Sequence, residues 1–258
     1  MRDTNFSMSE TALLTFDQDI ATITLNRPEV HNAFNREMIA HLGDLCDTLA
    51  ARDDVRAVVL RGAGKSFSAG ADLNWMRDSV AFSKEENRDD ARALADMLGK
   101  LNTLPQLTIA AVQGAAFGGG FGLGCCCDVV LASDKAVFAL SEVKLGLIPA
   151  TIGPYVVQAI GARQARRFFQ TGERFGAAKA LEIGLAHEVG TDLEALLATL
   201  LTEIGKNGAY AMRAAKKLCF DLSAAYVTEA VKEDTAERIA AIRTGAEAQQ
   251  RLRDFLEK

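Results

Sequence analysis

Three short, almost wholly apolar runs constrain the fold of this chain most strongly. They are Val55–Leu60, Ile109–Val112 and Val129–Ala132. A strand with one solvated face alternates apolar and polar residues, whereas a strand covered on both faces reads as a nearly continuous apolar run. Segments with helical spacing separate these runs. The chain is therefore predicted to form an α/β fold with right-handed crossovers between buried strands.

A hairpin is predicted ahead of these buried strands. Thr11–Phe16 and Ile20–Asn26 are short and rich in β-branched residues, and a short polar turn separates them. Pro28 would end the second strand. Asn32 is then predicted to cap a helix, because apolar residues with helical spacing follow it.

From about residue 191 onward, only helical patterns follow. Four segments rich in Ala, Leu, Glu, Lys and Arg are predicted to be helices: Leu193–Ile204, Ala209–Leu222, Ala224–Ile242 and Gly245–Glu257. The 258 residues are thus predicted to form a strand-containing core over residues 1–190 and a helical region over residues 191–258. The apolar faces of that region need cover, which predicts a role in oligomerisation.

Charge and cysteine content exclude several classes of function. The chain has a net charge of −5, whereas general nucleic-acid binding requires an excess of basic residues. The sequence contains no run of about 18 apolar residues, so no membrane span is predicted. Met1–Glu10 carry no targeting signal, and the five cysteines are predicted to be free thiols of a cytoplasmic protein. The sequence contains neither a CxxC pair nor a cluster of histidines, so no metal site is predicted.

Two segments of small residues indicate a binding site. Phe67–Leu73 and Gln113–Gly122 each follow one of the predicted buried strands. Glycine lets the backbone approach a ligand closely, and a helix that begins at Gly118–Gly120 has first amides without partners inside the helix. Such amides favour an anion or a developing oxyanion. Tight packing of a helix on a strand also selects glycine, and this alternative stays open for each segment alone.

Together, these segments resemble the crotonase superfamily, also called the enoyl-CoA hydratase/isomerase family. Its motifs occur in order along nearly the whole chain: Leu25–Pro28 with Asn32 and Ala33, Phe67–Leu73, Ile109–Gly120, Cys127 with Asp128, Phe138–Pro149, Gly172 with Glu173, and Ala177–His187. The resemblance implies a crotonase-like spiral of repeated ββα turns with a C-terminal helical trimerisation region. It also implies an acyl-CoA substrate, a homotrimer or dimer of trimers, and no cofactor beyond the coenzyme A of the thioester.

The resemblance also implies the catalytic groups. Two backbone amides hold the thioester carbonyl in this family, and by motif position they are those of Ala69 and Gly119. Proton transfer at the adjacent carbon builds negative charge on the carbonyl oxygen, and one such donor stabilises that charge by about 3–4 kcal/mol. Glu142 matches the catalytic Glu of the family, and its apolar neighbours would raise its pKa. The alternative for Glu142 is a surface residue that pairs with Lys144 or caps a turn.

The same motifs suggest which residues contact the substrate. Asp72 either caps a helix that begins near Leu73 or contacts the substrate. Arg27 is a candidate for the phosphates of coenzyme A. The last helix resembles a family segment that reaches a neighbouring subunit's site, and an ordinary amphipathic helix is the alternative for it. The predicted substrate-binding residues are Arg27, Val30, His31, Ala69, Gly70, Ala71, Asp72, Leu73, Trp75, Gly119, Phe255 and Lys258.

One position departs from the family pattern. Two-carboxylate hydratases of the family place a second Glu where this chain has Gly122. Three chemistries stay open: hydration with Glu142 alone, Δ3,Δ2-enoyl-CoA isomerisation through Glu142, or a variant reaction such as decarboxylation or thioester hydrolysis. A non-catalytic CoA-binding or scaffold subunit is the alternative from another class.

Two segments favour hydration among these chemistries. Ala69–Met76 and Gly146–Val157 are similar to the methylglutaconyl-CoA hydratases of leucine breakdown, and to relatives that act on longer branched glutaconyl-CoAs in acyclic terpene breakdown. The leading hypothesis is therefore hydration of a branched 2-enoyl-CoA. The extra carboxylate of such a substrate would need a cationic or amide partner, for which Asn74, Arg77 and Lys144 are candidates.

Overall fold

A computed structural model describes residues 11–257. The predictions made for residues 1–10 and for Lys258 lie outside this range. The strands are β1 (Ala12–Asp17), β2 (Ile20–Leu25), β3 (Ala57–Gly62), β4 (Leu107–Val112), β5 (Ala115–Phe117), β6 (Val129–Ser133), β7 (Val137–Ala139), β8 (Arg174–Gly176) and β9 (Glu188–Gly190). The helices are α1 (Arg36–Ala50), α2 (Leu73–Ser79), α3 (Lys84–Asn102), α4 (Gly119–Cys126), α5 (Gly153–Thr171), α6 (Ala177–Glu182), α7 (Leu193–Gly205), α8 (Ala209–Leu222), α9 (Glu229–Thr244) and α10 (Ala246–Leu256).

The strands form a large and a small sheet. The large sheet has the order β1-β2-β3-β4-β6-β9, and the small sheet has the order β5-β7-β8. In the large sheet, β1 and β2 form the predicted antiparallel hairpin, and every other pair is parallel. Consecutive turns repeat one pattern, because β4, β5 and α4 are followed by β6, β7 and α5. Each turn adds a strand to both sheets, which confirms the spiral of ββα turns.

The large sheet has a core on each face, which explains the continuous apolar runs. Along β3, Val58 and Leu60 belong to one cluster of buried residues, whereas Ala57 and Val59 belong to a second. Helices α1, α3, α4 and α5 contribute to the first cluster, and α7 contributes Leu197 to the second. Burying an aliphatic side chain of this size stabilises the fold by about 1.5–3 kcal/mol.

The predicted cap of the first helix is wrong. Asn35 caps α1, and its side chain accepts a hydrogen bond from the Met38 amide at 2.9 Å. Asn32 is instead fully buried, and its side-chain amide donates to the carbonyl oxygens of Ala63 and Ser66. The sequence pattern did not distinguish a cap from a side chain that ties two loops together, because both functions favour asparagine.

The helical region after residue 190 differs along its length. Helix α7 packs Leu197 and Ile204 against the large sheet, whereas α9 and α10 bury no residue. Helix α9 begins later than predicted, because the Thr228 side chain caps its first turn. The division at residue 190 and the role of this region in assembly stay predictions. Within residues 11–257, no helix is long and apolar enough to span a bilayer.

All five cysteines are free, as predicted. Cys46, Cys126 and Cys127 are buried, and burial raises the pKa of the Cys46 thiol to about 12. Burial likewise raises the pKa of Cys126 and of Cys127 well above the usual value for a thiol. These side chains therefore pack as small apolar groups in the core.

Candidate active site

The two glycine-rich segments lie side by side at one edge of the fold. The amide of Ser68 donates to Ala115 O at 3.0 Å, and the amide of Phe117 donates to Ser68 O at 2.9 Å. Gly70 has a φ of +88°, and a Cβ at this position would lie 2.7 Å from Phe117 O. Both the backbone conformation and the close approach require glycine here. The first segment is thereby held against the start of α4.

The backbone amides of Ala71 and Gly119 meet at this junction, and neither has a hydrogen-bond acceptor among residues 11–257. Gly119 provides the first amide of α4, where the helix dipole favours negative charge. Its nitrogen lies 3.5 Å from the position that a Cβ on Gly70 would take. The prediction for Ala69 is corrected, because its amide already donates to His31 O at 2.9 Å. The free donors are thus Ala71 and Gly119.

The Ala71 amide is fixed by its neighbours on both sides. The Phe34 amide donates to Gly70 O at 2.6 Å, and the Asp72 amide donates to Phe34 O at 2.8 Å. The side chain of Asp72 accepts from the Asn74 amide at 2.8 Å and caps α2, as predicted. These contacts orient the peptide of Ala71 before any ligand binds, and such preorganisation is what makes a backbone donor effective.

An ion pair beneath this turn supports the same peptide. Arg27 donates to Asp72 Oδ2 at 2.8 Å and to Ala33 O at 2.6 Å. Burial would raise the pKa of Asp72, but the Asn74 amide and the Arg27 guanidinium together hold it below its ordinary value. Arg27 therefore stabilises the turn in this structure, and its contact with the phosphates of coenzyme A stays a prediction.

Glu142 is held above the start of α4. It opens a short 3-10 helix, and its Oε1 lies 3.2 Å from the position that a Cβ on Gly118 would take. Its Oε2 is buried and has no hydrogen-bond partner in the part of the chain that the structure describes, and burial raises the pKa of the carboxyl. The alternative of a surface residue paired with Lys144 is wrong, because Glu142 is partly buried and forms no ion pair with Lys144 within residues 11–257. This carboxyl group has the properties of a general acid or base.

Ile152 occupies the space beside Gly122. A Cβ on Gly122 would lie 2.3 Å from Ile152 Cγ2 and 2.8 Å from Ile152 Cβ. Gly118 and Gly122 lie on the same face of α4, one turn apart. Glu142 and Ile152 therefore cover successive turns of one glycine-lined helix face. The position of the family's second carboxylate is an apolar wall in this protein.

A cavity of about 420 Å³ joins these groups. It brings together seven of the predicted residues: Ala69, Gly70, Ala71, Leu73, Trp75, Gly119 and Glu142. The remaining described candidates do not line it: Arg27, Val30, His31, Asp72 and Phe255. Phe255 is exposed on α10, and His31 Nδ1 lies 3.0 Å from Ser66 Oγ. The contacts predicted between coenzyme A and these five residues remain predictions.

The candidates for the extra carboxylate of the substrate are also outside the cavity. Asn74, Arg77 and Lys144 are exposed and absent from its lining, and Arg77 donates to Asn74 Oδ1 at 2.8 Å. The uncharged polar side chains of the lining belong instead to Ser79, Asn87, Ser141 and Thr151.

Phe34, Ile152 and Asp90 are among the lining residues that the sequence analysis did not predict. Phe34 contacts the start of α4, because a Cβ on Gly119 would lie 2.6 Å from its ring. Ile152 forms the apolar wall, and Asp90 lines the cavity from α3. Phe34 carried a helical apolar spacing in the sequence, which indicates only that it is buried. Ile152 belongs to the segment Gly146–Val157, whose similarity to hydratases indicates no contact with α4, and Asp90 belongs to a charged stretch that is typical of a solvated helix face.

Known proteins resemble this chain along most of its length. A family model described as enoyl-CoA hydratase/isomerase matches residues 15–258. A putative enoyl-CoA hydratase of Thermus thermophilus is 36% identical over 205 residues, which cover 79% of this chain and 81% of that protein. The crystal structure of an enoyl-CoA hydratase from Shewanella pealeana has 41% identity and a TM-score of 0.92, covering 96% of this chain and 93% of that one. AtuE of Pseudomonas aeruginosa has 38% identity and a TM-score of 0.92, covering 96% of each chain.

Proposed function

Because this chain belongs to the enoyl-CoA hydratase/isomerase family, we propose that it hydrates a 2-enoyl-CoA thioester, with Glu142 as its single catalytic carboxylate. One observation carries this proposal. The buried Glu142 Oε2 and the amides of Ala71 and Gly119 have no hydrogen-bond partner among the described residues, and all three belong to residues that line the same cavity. A proton-transfer group and two oxyanion donors are what proton exchange beside a thioester carbonyl requires.

The proposed reaction uses these groups in one sequence. Water adds to the β-carbon, and the electrons of the double bond move toward the thioester oxygen. The amides of Ala71 and Gly119 stabilise the resulting enolate oxygen, at about 3–4 kcal/mol for a single donor. Glu142 accepts a proton from the water and returns one to the α-carbon, so its carboxyl group regains its starting state. Its raised pKa suits both transfers near neutral pH.

The wall formed by Ile152 favours a second candidate reaction. A hydrocarbon side chain beside Gly122 cannot orient or deprotonate water. Isomerisation of a 3-enoyl-CoA needs only Glu142, which would remove a proton from the α-carbon and return it to the γ-carbon. The same two amides would stabilise the intermediate dienolate. Δ3,Δ2-enoyl-CoA isomerase is therefore the alternative that this contact supports.

For the acyl group, we propose a branched 3-methylglutaconyl type, as in leucine or acyclic terpene catabolism. The similarity of Ala69–Met76 and Gly146–Val157 to hydratases of that type supports this choice. Ser141 and Thr151 line the cavity, and their hydroxyls could donate hydrogen bonds to the distal carboxylate of such an acyl group. We further propose that coenzyme A contacts Arg27, Val30 and His31. Phe255 and Lys258 of a neighbouring subunit would complete its site in a homotrimer or a dimer of trimers.

A panel of enoyl-CoAs distinguishes the candidates through the absorbance of the conjugated thioester. Hydration of a 2-enoyl-CoA removes this absorbance, and isomerisation of a 3-enoyl-CoA creates it. A non-catalytic CoA-binding subunit would bind the ligands without changing the absorbance. Glu142→Gln should lower turnover by about 10²–10⁴-fold while acyl-CoA binding, measured by calorimetry, persists.

Glu203→Gln provides the matched control, because Glu203 is an exposed residue of α7 that forms an ion pair with Lys206 and does not line the cavity. It should leave turnover unchanged. Near wild-type turnover in Glu142→Gln would exclude both proposed reactions.

A further inference from the structure

The active-site cavity is separated from a second cavity by one pair of side chains. The second cavity has a volume of about 340 Å³ and lies between α1 and α3. Buried Ile39 and Met97 contribute to its lining, beside charged residues such as Lys100. Trp75 and Asp90 line both cavities. They therefore form the partition between the space beside Glu142 and the space beyond.

Hydrogen bonds fix this partition from both sides. Trp75 Nε1 donates to Asp90 Oδ2 at 2.9 Å, and Arg36 Nε donates to Asp90 Oδ1 at 2.8 Å. Burial would raise the pKa of Asp90, but its bonds to Arg36 and Trp75 hold it below the ordinary value. The carboxylate thus stays ionised and keeps both acceptors occupied, and the indole packs against the main core.

The partition is also joined to the catalytic turn. Trp75 lies in the first turn of α2, which begins directly after the capping residue Asp72. The preceding residue, Ala71, provides one of the two free amides. An acyl group whose carbonyl oxygen reaches this amide therefore extends within the cavity whose lining includes the indole of Trp75.

We infer that Trp75 sets the length of the acyl group that the site accepts, and that Asp90 is a positioning residue that holds the indole in place. This inference rests on the proposed function, since it takes an acyl-CoA as the ligand. With the indole present, the acyl group is confined to the first cavity. Without it, a straight acyl chain can extend into the second cavity and bury its additional methylenes there.

The experiment measures chain-length dependence in two ways. Saturated acyl-CoAs from C4 to C12 are titrated by calorimetry, and kcat/KM is measured for the matching 2-enoyl-CoAs. In the wild type, both affinity and kcat/KM should stop improving once the chain reaches Trp75. Trp75→Ala should raise the C12-to-C4 ratio of both quantities by about tenfold or more, because each methylene that leaves water for the space beside Ile39 and Met97 contributes about fourfold. Trp75→Phe keeps an aromatic partition and should retain the wild-type cut-off.

Variants of Asp90 test the positioning role and do not depend on the folding of Trp75→Ala. Trp75 is the only tryptophan of the chain, so its fluorescence reports directly on the partition. Asp90→Ala should shift its emission to longer wavelength, increase its quenching by acrylamide, and raise the C12-to-C4 ratio. Asp96→Ala is the matched control, because Asp96 lies on α3 and lines the second cavity, but bonds to Arg92. It should change neither readout.

The outcomes separate the inference from the proposed function. A folded Trp75→Ala protein with the wild-type chain-length profile would overturn the inference, as would equal effects of Asp90→Ala and Asp96→Ala. A chain-length cut-off in binding that moves as expected, without any turnover, would support the inference and refute the proposed reaction. Absence of acyl-CoA binding in the wild type would overturn both.

Discussion

Replacement of single glycines in α4 tests the packing of Ile152 against the active-site helix. Four of the eight residues of α4 are glycine, among them Gly122 and Gly124, and both of these are buried. Alanine in the interior of a helix ordinarily stabilises a protein by about 0.5–1 kcal/mol relative to glycine. The two positions should nevertheless respond with opposite signs, because their surroundings differ.

The expected magnitudes follow from the space around each position. A Cβ on Gly122 would lie 2.3 Å from Ile152 Cγ2 and 2.8 Å from Ile152 Cβ, whereas a Cβ on Gly124 would meet no described atom within 4 Å outside the backbone of its own helix and its two chain neighbours. A rotamer change cannot move the Cβ of Ile152, so the backbone must shift. Overpacking of this kind costs about 1–3 kcal/mol. Gly122→Ala should thus destabilise the protein by about 1–2 kcal/mol, and Gly124→Ala should stabilise it by about 0.5–1 kcal/mol.

Urea unfolding at a fixed protein concentration measures this difference, with the same slope expected for all variants. Ile152→Gly removes both atoms that lie within 3 Å of the new methyl group. In that background, Gly122→Ala should stabilise the protein, as Gly124→Ala does. Equal stability of Gly122→Ala and Gly124→Ala in the wild-type background would show that Ile152 does not fill the space beside Gly122. The apolar wall, and with it the argument for a single carboxylate, would then be refuted.

Three further predictions concern the buried carboxyl groups. The value of kcat/KM should rise with pH through the pKa of Glu142, and this pKa should lie above the ordinary 4.5 because burial disfavours the charged form; a midpoint below 4.5 in the pH–rate profile would contradict it. Glu142→Gln should unfold at a higher temperature than the wild type at pH 7. A carboxyl whose pKa is raised by folding destabilises the folded state at pH values above its pKa in the unfolded chain. In thermal melts, the advantage of the variant should therefore shrink toward pH 4. Asp72→Asn should lower the free energy of unfolding by about 3 kcal/mol at pH 7, because it leaves Arg27 without its buried partner. Because folding lowers the pKa of Asp72, its ionised form stabilises the fold at pH values above the pKa of Asp in the unfolded chain, about 4. The deficit of the variant should therefore diminish in urea titrations as the pH falls below about 4, and a deficit independent of pH would contradict the role of the ion pair.

Much of the architecture follows from local patterns in the sequence. The apolar runs at β3, β4 and β6 are strands because both faces of the large sheet are covered, and covered strands need no polar alternation. The position of the two glycine-rich segments was also predictable. Each follows a buried strand, and glycine there allows the backbones of the two segments to approach each other closely. The cap at Asp72 was predicted on the same local grounds, since its acceptor and donor are two residues apart.

The details of the site depend on contacts between distant residues. Ala69 and Ala71 flank one glycine in a symmetrical local sequence, and only the long-range bond from Ala69 to His31 O decides which amide is free. Asn32 and Asn35 are equally suitable as caps by type, and burial between two loops removes Asn32 from that role. Periodicity and propensity describe single segments, so they do not contain this information.

The glycine content of α4 has a consequence for how the enzyme loses its activity. Four glycines in eight residues oppose helix formation by about 4 kcal/mol relative to alanine, and a helix this short is unstable alone in water. Helix α4 therefore exists only where buried neighbours surround it. The Gly119 amide, the proposed oxyanion donor, should be lost and regained together with the core, so amide hydrogens of α4 should exchange only through global unfolding. Inactivation by heat and unfolding of the whole subunit should then be one transition.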